Sequence, residues 1–436
     1  MSDILFSLHS WPRAIVHVDG DAFFTSCEEA IHPELRGKPI ITGGERGIVA
    51  CASYAAKKLG IKRGVPLRDA QKLCPELIIL PSDYETYSLF SKRMFHIMRS
   101  FTPQVEEYSI DEAFLDITGL RRAYHSSYET IVRNIKNEIE KGLGITVSAG
   151  LSLTKVLAKI ASKHRKPSGV TIIPGRKISR YLQHLPVEKI WGIGPSTTAY
   201  LNKLGIATAL QFARLPETTV RKHLTKPGLE IWRELRGESV YPVLSAAKSS
   251  YASISKMKTF APPTNDRAYL YAHLMRNLEA ACMKARRYHL AAGRIVAILK
   301  KQNFEVPGCE IKLNRPSSYP LELSAILNEM FTDLFQRDEL YRATGIILLD
   351  LQPDSPRQMS LFESPLTAEK ICRSYLAVDE INRKYGKHAV HLGASHLINV
   401  LGQGKRGEST VREQTRFYGE SGRKHLGLPI LHVKAT

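Results

Sequence analysis

The sequence predicts a multidomain α+β protein, and three observations lead to this fold class. The chain has 436 residues, enough for several domains that each bury a core. Its first 175 residues follow the order strand, helix, insertion, helix, strand, strand, helix, strand, helix, strand. That order is compatible with a ferredoxin-like antiparallel sheet backed by helices. A leucine-rich helical stretch comes next, and a second β-α-β-β-α-β order follows residue 250.

Apolar periodicity places the elements of both orders. The first region has predicted strands at 14–18, 39–42, 104–109, 113–118, 145–151 and 170–173, and helices at 84–100, 126–141 and 154–165. The second has predicted strands at 254–260, 293–300, 310–313 and 344–351, and helices at 266–290 and 321–335. In the helix at 84–100, one face carries Tyr87, Phe90, Met94, Phe95 and Met98, which we interpret as core packing.

The composition indicates a nucleic-acid partner. Lysine and arginine outnumber aspartate and glutamate by 62 to 42, a formal net charge of +20. Such an excess favours a polyanion, more often nucleic acid than a membrane surface. The six cysteines show no C-x-x-C spacing, which argues against a disulfide framework or a zinc site. With no long apolar run and no signal-like N-terminus, we expect a cytoplasmic protein without membrane association.

Two adjacent acids, Asp111 and Glu112, interrupt an apolar run between Val105 and Ile117. Such a pair persists in a core when it neutralises a cation, shares a proton or is in fact exposed to solvent. In a regular strand the two side chains would point to opposite faces, so both reach one site only if the strand begins or bends between them. The alternative is a polar hairpin turn with solvated acids.

A second acidic cluster favours a cation site over a solvated turn. An apolar strand over 14–18 ends abruptly in Asp19-x-Asp21. If the strand end brings Asp19 beside Asp111 and Glu112, the three carboxylates form an all-oxygen site that suits Mg²⁺ or Mn²⁺. Two such ions, roughly 3.5–4 Å apart, can hold both the attacking and the leaving oxygen of a phosphoryl transfer.

A basic segment lies between Glu140 and Glu188, where no acidic residue occurs. Its nine basic residues predict a surface that faces phosphates. They are Lys141, Lys155, Lys159, Lys163, Arg165, Lys166, Arg176, Lys177 and Arg180. Lys155, Lys159 and Lys163 share one helical face and would repel one another unless a polyanion or solvent relieved them.

The stretches VDGDAFF at 18–24 and YSIDEA at 108–113 resemble the two metal-binding motifs of the Y-family, or lesion-bypass, DNA polymerases. The bacterial DNA polymerase IV type is the nearest match, and the resemblance covers about residues 14–362. It implies a palm (1–30 and 84–175), fingers (31–83), a thumb (176–245), a little finger (246–352) and a C-terminal tail (353–436).

The same resemblance implies the site residues. Asp19, Asp111 and Glu112 would be catalytic and, with the Gly20 carbonyl, would hold two Mg²⁺ ions, Mn²⁺ being possible. The nucleotide-binding residues would be Phe23, Phe24, Tyr54, Lys57 and Lys166, with Phe24 as the steric gate against a 2′-hydroxyl. Two positions depart from the family pattern. Lys57 stands where the family usually has arginine, and Gly20 stands where the family usually has a bulky residue. By the residues alone, Tyr54 and Lys57 fit an ordinary helix surface, and Phe23 and Phe24 fit core aromatics.

Two further motifs concern partners. Residues 187–206 have the form of a helix-hairpin-helix, in which Gly192 and Gly194 let backbone N–H groups approach a DNA phosphate. The peptide QMSLF at 358–362 resembles the one by which bacterial polymerases dock on the sliding clamp. Leu361 and Phe362 would fill an apolar pocket, and Gln358 would form a hydrogen bond beside it.

The resulting hypothesis is a monomeric, template-directed DNA polymerase of the lesion-bypass class, with low fidelity and no proofreading. It would add dNTPs to the primer 3′-hydroxyl on primer-template DNA. One alternative is an enzyme like the DNA polymerase V catalytic subunit, which needs accessory subunits, since residues 378–386 resemble a helix of such longer relatives. The others are a catalytically silent scaffold that binds DNA and clamp, and a two-metal nuclease or cyclase.

Overall fold

The protein consists of two compact units, residues 1–246 and 247–436. The structure, a computed structural model, describes residues 10–246, 251–354, 365–385, 387–398 and 400. Gln358, Leu361 and Phe362 lie outside these residues. None of the helices within the described ranges is long and apolar enough to cross a membrane.

A five-stranded sheet organises the first unit. Its strands are β1 (Ile15–Gly20), β5 (Val105–Glu107), β6 (Glu112–Asp116), β7 (Val147–Ser152) and β8 (Val170–Ile172), in the order β5-β6-β1-β7-β8. Its helices are α1 (Phe23–Ile31), α4 (Tyr84–Phe101), α5 (Leu120–Ala123), α6 (Tyr128–Leu143) and α7 (Lys155–His164). All residues of the central strand β1 are buried, so any acid at its end is partly desolvated.

Between α1 and α4 the chain forms a small three-stranded sheet with a core of its own. Its elements are β2 (Ile40–Thr42), β3 (Cys51–Ala52), α2 (Tyr54–Lys58), α3 (Leu67–Leu73) and β4 (Ile78–Leu80). The Ser53 side chain caps α2 by accepting the Ala56 N–H at 3.2 Å. It also donates to the Lys38 carbonyl at 3.1 Å, which ties the start of the helix to β2.

A helical region completes the first unit. It contains α8 (Ile178–Leu182), α9 (Pro195–Lys203), α10 (Ala209–Ala213), α11 (Glu217–His223) and α12 (Lys226–Leu235). Val156, Leu157 and Ile160 of α7 belong to its core, while the neighbouring Ala158 packs against Ile15 and Phe114 of the sheet. Helix α7 is therefore covered on both sides.

The second unit is a four-stranded antiparallel sheet in the order β11-β10-β12-β9. Its strands are β9 (Ser253–Thr264), β10 (Leu290–Lys301), β11 (Gly308–Ser317) and β12 (Tyr341–Pro353), and its helices are α13 (Arg267–Arg287), α14 (Pro320–Leu334) and α15 (Pro365–Tyr385). Arg286 of α13 forms two 2.7 Å hydrogen bonds with Asp379 of α15. Buried Glu279 accepts the Leu392 N–H at 2.5 Å, so residues beyond β12 also pack on this unit.

Candidate active site

The predicted acids meet where β1 ends. Asp19 is only 6% exposed and lies opposite Glu112 in the antiparallel β1–β6 register. The Gly20 N–H donates to the Asp111 carbonyl at 2.8 Å, which fixes the turn between β5 and β6 against the end of β1. Glu112 begins β6 and does not belong to the turn, so Asp111 and Glu112 lie on either side of a strand start. The predicted convergence of two distant acidic clusters is therefore confirmed.

Lysines neutralise two of these acids. The Lys166 ammonium donates to Asp19 and lies 3.4 Å from the Asp21 carboxylate. The Lys159 ammonium donates to Glu112 Oε2 at 2.7 Å. The Asp111 carboxylate accepts the Ser109 hydroxyl at 2.5 Å. Each carboxylate is thus held by a positive charge or a hydrogen-bond donor, as buried acids require.

The environment of Asp19 is typical of a functional group. Burial raises the pKa of the Asp19 carboxyl. The Lys166 ammonium opposes this rise, and the neighbouring Glu112 carboxylate adds to it. A carboxyl with a raised pKa gains more than an exposed one from a further positive charge placed beside it.

The donor chemistry fits a divalent cation. Asp19, Asp111, Glu112 and the Gly20 carbonyl offer only oxygen ligands, the type that hard divalent cations prefer. No three His, Cys, Asp or Glu side chains are arranged as a metal site in the described parts of the chain. The ammonium groups of Lys166 and Lys159 pair with the Asp19 and Glu112 carboxylates instead.

One cleft joins two of the acids, Asp19 and Asp111, to all five predicted nucleotide-binding residues. The five-stranded-sheet side contributes Asp19, Gly20, Ala22, Phe23, Phe24, Ile110, Asp111 and Lys166. The three-stranded-sheet side contributes Ala50, Cys51, Ala52, Tyr54, Lys57 and Arg63. Carboxylates on one wall and cations on the other suit a ligand that carries phosphates and metal ions together. Glu112 is not among the residues that line this cleft, because its carboxylate faces Lys159.

Asp21 is a site residue to which the sequence reasoning assigned no role. Its side chain is 1% exposed and accepts the Ser148 hydroxyl at 2.9 Å and the Ser168 N–H at 2.7 Å. The Tyr54 hydroxyl also donates to it, at 3.4 Å. Asp21 thereby fixes β7, the segment after Lys166 and the start of α2 in one place. The Asp19-x-Asp21 spacing at the end of a buried strand is the sequence feature that could have identified Asp21 as part of the site.

The opposite wall carries the predicted triphosphate residues. The Lys57 ammonium lies 4.4 Å from the centre of the Tyr54 ring. Burial, followed by the charge of Asp21, raises the pKa of the Tyr54 hydroxyl, so this group stays protonated as a donor. Arg63 lines the same wall and was not predicted, because it lies in a loop where periodicity carries no information.

Gly20 and its two aromatic neighbours form the floor of the cleft. A Cβ atom on Gly20 would come within 2.8 Å of Phe23 Cδ2, so the Phe23 ring fills the space that a bulky residue would take. Phe23 is 2% exposed and belongs to the core. The half-buried Phe24 stacks on Tyr87 at 4.5 Å and 13°. A ring packed in this way cannot swing out of the cleft without losing its contacts.

The expectation that the basic segment faces phosphates is wrong for two of its lysines. Lys155 and Lys159 are 4% and 6% exposed, because the helical region covers α7. Lys155 donates to both oxygens of Glu106 at 2.7 Å, and Lys159 to Glu112. Carboxylates, not a polyanion, therefore relieve their mutual repulsion.

The predicted hairpin lies between a 3₁₀ turn at Val187–Lys189 and α9. At the start of this first arm the Val187 N–H donates to the Ala207 carbonyl at 3.0 Å. Gly192 has a φ of +93°, at which any other residue would be strained, and a Cβ there would lie 2.6 Å from Ile231 Cδ1. Gly194 precedes α9, and a Cβ there would meet open space. The structure thus leaves the N-terminal end of α9 approachable.

Comparisons with known proteins agree with this geometry. The model of the impB/mucB/samB family matches residues 18–163, and the model of that family's C-terminal domain matches residues 251–361. The model of the IMS family HHH motif matches residues 176–206. DNA polymerase IV of Desulfatibacillum aliphaticivorans is 34% identical over 87% of this chain and 96% of its own. The chain belongs to the impB/mucB/samB family of Y-family DNA polymerases. This confirms the predicted enzyme class, a DNA-directed DNA polymerase for lesion bypass.

Solved structures of Y-family polymerases show the same fold. A Y-family DNA polymerase chimera of Dbh and Dpo4 matches 78% of this chain and 99% of its own, with 26% identity and a TM-score of 0.66. An insertion ternary complex of Dbh DNA polymerase matches equal shares, with 25% identity and a TM-score of 0.53. The predicted α+β fold class is confirmed, and family membership implies the use of divalent metal ions.

Proposed function

We propose that this Y-family polymerase extends a DNA primer across damaged template positions by two-metal phosphoryl transfer with Mg²⁺, Mn²⁺ being an alternative. The cleft that joins Asp19 and Asp111 to Tyr54, Lys57 and Lys166 carries this proposal. Its acidic wall suits metal ions and its basic wall suits a triphosphate. The similarity to Dbh DNA polymerase, which forms an insertion ternary complex, supports binding of primer-template DNA and a dNTP by this chain.

In this proposal Asp19, Asp111, Glu112 and the Gly20 carbonyl hold the metal ions. Bound ions would favour deprotonation of the primer 3′-hydroxyl and offset the charge of the leaving pyrophosphate.

The remaining residues orient the nucleotide. Tyr54, Lys57 and Arg63 would contact phosphate oxygens, and Lys166 would move from Asp19 to the triphosphate. Phe24 would lie under the sugar. Asp21 would act as a positioning residue through its hydrogen bonds to Tyr54 and to the segment after Lys166.

The domain boundaries predicted from the resemblance are part of the proposal: palm, fingers, thumb, little finger and tail, within the ranges given above. Gly192 and Gly194 would place backbone N–H groups on a DNA phosphate. Low fidelity without proofreading is proposed from the family resemblance. A cytoplasmic, monomeric protein is part of the same proposal.

Primer extension by the purified chain tests the function. We expect dNTP incorporation opposite undamaged and damaged template bases that stops when the divalent metal is chelated, because the acids alone repel a triphosphate. Extension only after an accessory subunit is added would favour the polymerase V-like alternative. DNA hydrolysis without dNTP incorporation would contradict the proposal.

We also propose that the peptide at 358–362 docks on the sliding clamp. Replacing Leu361 and Phe362 together with alanine should weaken clamp binding by about 10²-fold, because two apolar anchors would be lost. Binding to immobilised clamp measures this, with Leu376→Ala as a control, since Leu376 is an exposed apolar residue outside the peptide. Equal binding by the double variant and the parent would contradict the assignment.

A further inference from the structure

Helix α7 buries the Lys159 ammonium between a carboxylate and two aromatic rings. The ammonium lies 2.7 Å from Glu112 Oε2, 4.4 Å from the centre of the Tyr108 ring and 5.4 Å from that of Trp191. The Trp191 N–H donates to the Tyr108 hydroxyl at 3.0 Å, which holds the two rings together. We call Tyr108 and Trp191 the aromatic cage.

The cage is assembled from two parts of the first unit. Tyr108 precedes the turn that carries Asp111, and Trp191 precedes the Gly192 hairpin of the helical region. The Trp191 ring also stacks on Phe114 of β6 at 5.5 Å. The cage therefore exists only while the helical region packs against the sheet.

Glu112 has two competing partners under the proposed function. Within the described residues, Glu112 is the one carboxylate that pairs with Lys159. If Glu112 contributes to a divalent cation, the Lys159 ammonium loses part of this pairing while 6% exposed. A buried ammonium without a partner is costly, and aromatic faces are among the few groups that attract it without being acidic.

We propose that Lys159 is a positioning residue that holds Glu112 beside Asp19 when no cation is bound, and that the aromatic cage holds Lys159 when Glu112 is shared with a cation. This inference rests on the proposed two-metal polymerase site. Because the ammonium competes with the cation for Glu112 and the cage favours its release, removing Lys159 and removing the cage should shift metal affinity in opposite directions.

The chain offers a matched control one helical turn away. Lys155 is also buried, donates to Glu106 at 2.7 Å and lies 4.7 Å from the centre of the Phe114 ring. Its carboxylate partner, however, accepts the Leu244 N–H at 2.7 Å and is not one of the three predicted acids. Lys155→Met therefore removes a buried, paired lysine from α7 without touching Glu112.

Direct Mn²⁺ binding, followed by electron paramagnetic resonance of the free ion without DNA or dNTP, tests the inference in the full chain. We expect Lys159→Met to bind Mn²⁺ at least about threefold more tightly, and Trp191→Leu at least about threefold more weakly, than the parent. Lys155→Met and Lys159→Arg should stay within about twofold of the parent. The kcat of primer extension by Lys159→Met at saturating Mg²⁺ should stay within about threefold of the parent, since Lys159 would position Glu112 only while no cation is bound.

The outcome is decisive if the parent extends primers. Equal Mn²⁺ affinity of the Lys159→Met and Lys155→Met variants would then show that Lys159 has only a structural role, and it would overturn the inference. If the Lys159→Met variant does not fold, the Mn²⁺ affinity of the Trp191→Leu variant tests the inference. Unchanged or tighter Mn²⁺ binding by that variant would overturn the role of the cage. A parent that neither binds Mn²⁺ nor extends a primer would instead refute the proposed function.

Discussion

Replacing Asp19 with asparagine should lower the rate of primer extension at saturating dNTP by about 10³-fold or more. Asparagine keeps the shape of the side chain but removes the negative charge that would face a cation. Asp19 lies opposite Glu112 across the β1–β6 pair and beside the turn that carries Asp111. The change therefore removes charge from the centre of the acidic cluster. Single-turnover extension of a labelled primer measures the rate.

Thermal stability should change little in the same variant. Asparagine relieves the cost of burying a carboxylate, while Lys166 keeps the Asp21 carboxylate 3.4 Å away. Thermal unfolding of Asp19→Asn and of the parent checks this. An unfolded variant would lose its rate without any change at the cation site, so the melting temperature must be measured together with the rate.

Glu234→Gln provides the matched control. Glu234 is fully buried in the helical region, and its carboxylate accepts the Val240 and Tyr241 N–H groups at 2.7 and 2.8 Å. Burial raises the pKa of this carboxyl too, although its backbone hydrogen bonds oppose the rise. We expect Glu234→Gln to lose stability but to keep its rate per folded molecule. If Asp19→Asn retained more than about a tenth of the parent rate, Asp19 would not hold a cation.

The comparison of Asp19 with Glu234 shows why a raised pKa alone does not locate the site. Both carboxyls are desolvated, yet Glu234 is paired with backbone N–H groups and Asp19 with the Lys166 ammonium. Backbone donors are fixed parts of the fold, whereas a lysine can exchange its partner for a phosphate. The type of partner, and not the size of the shift, separates a structural acid from a functional one.

The positions of the acids could be predicted because strand ends are local features. The apolar run before Asp19 and the short break around Asp111 each appear within a few residues of sequence, and antiparallel pairing then brings them together.

The partners of the lysines could not be predicted in this way. Helical periodicity shows that Lys155 and Lys159 share a face, but it does not show what that face packs against. Only the tertiary arrangement, with the helical region over α7, places them against Glu106 and Glu112. The same limit applies to Asp379, whose pairing with Arg286 joins segments far apart in sequence.

Replacing Phe24 with alanine should raise the efficiency of ribonucleotide incorporation, relative to deoxyribonucleotide incorporation, on the order of 10²-fold. The Phe24 ring lines the cleft with Asp19 and is held by Tyr87 at 4.5 Å and by the edge of Tyr84 at 5.3 Å. In the proposed site, a fixed ring at this position would exclude the added 2′-hydroxyl by its volume, and alanine would remove that volume. The ratio of kcat/KM for the two sugars measures the effect.

Two further variants separate sugar selection from general damage to the cleft. Phe24→Tyr keeps the ring and should keep the discrimination within a few-fold of the parent. Tyr84→Leu removes an aromatic neighbour that packs on Phe24 but does not line the cleft, so it should lower stability more than selectivity. Equal losses of efficiency for both sugars in Phe24→Ala would instead assign Phe24 to core packing. The distinction is physical: a packing residue affects both substrates through the protein's stability, whereas a gate residue acts only on the atom by which they differ.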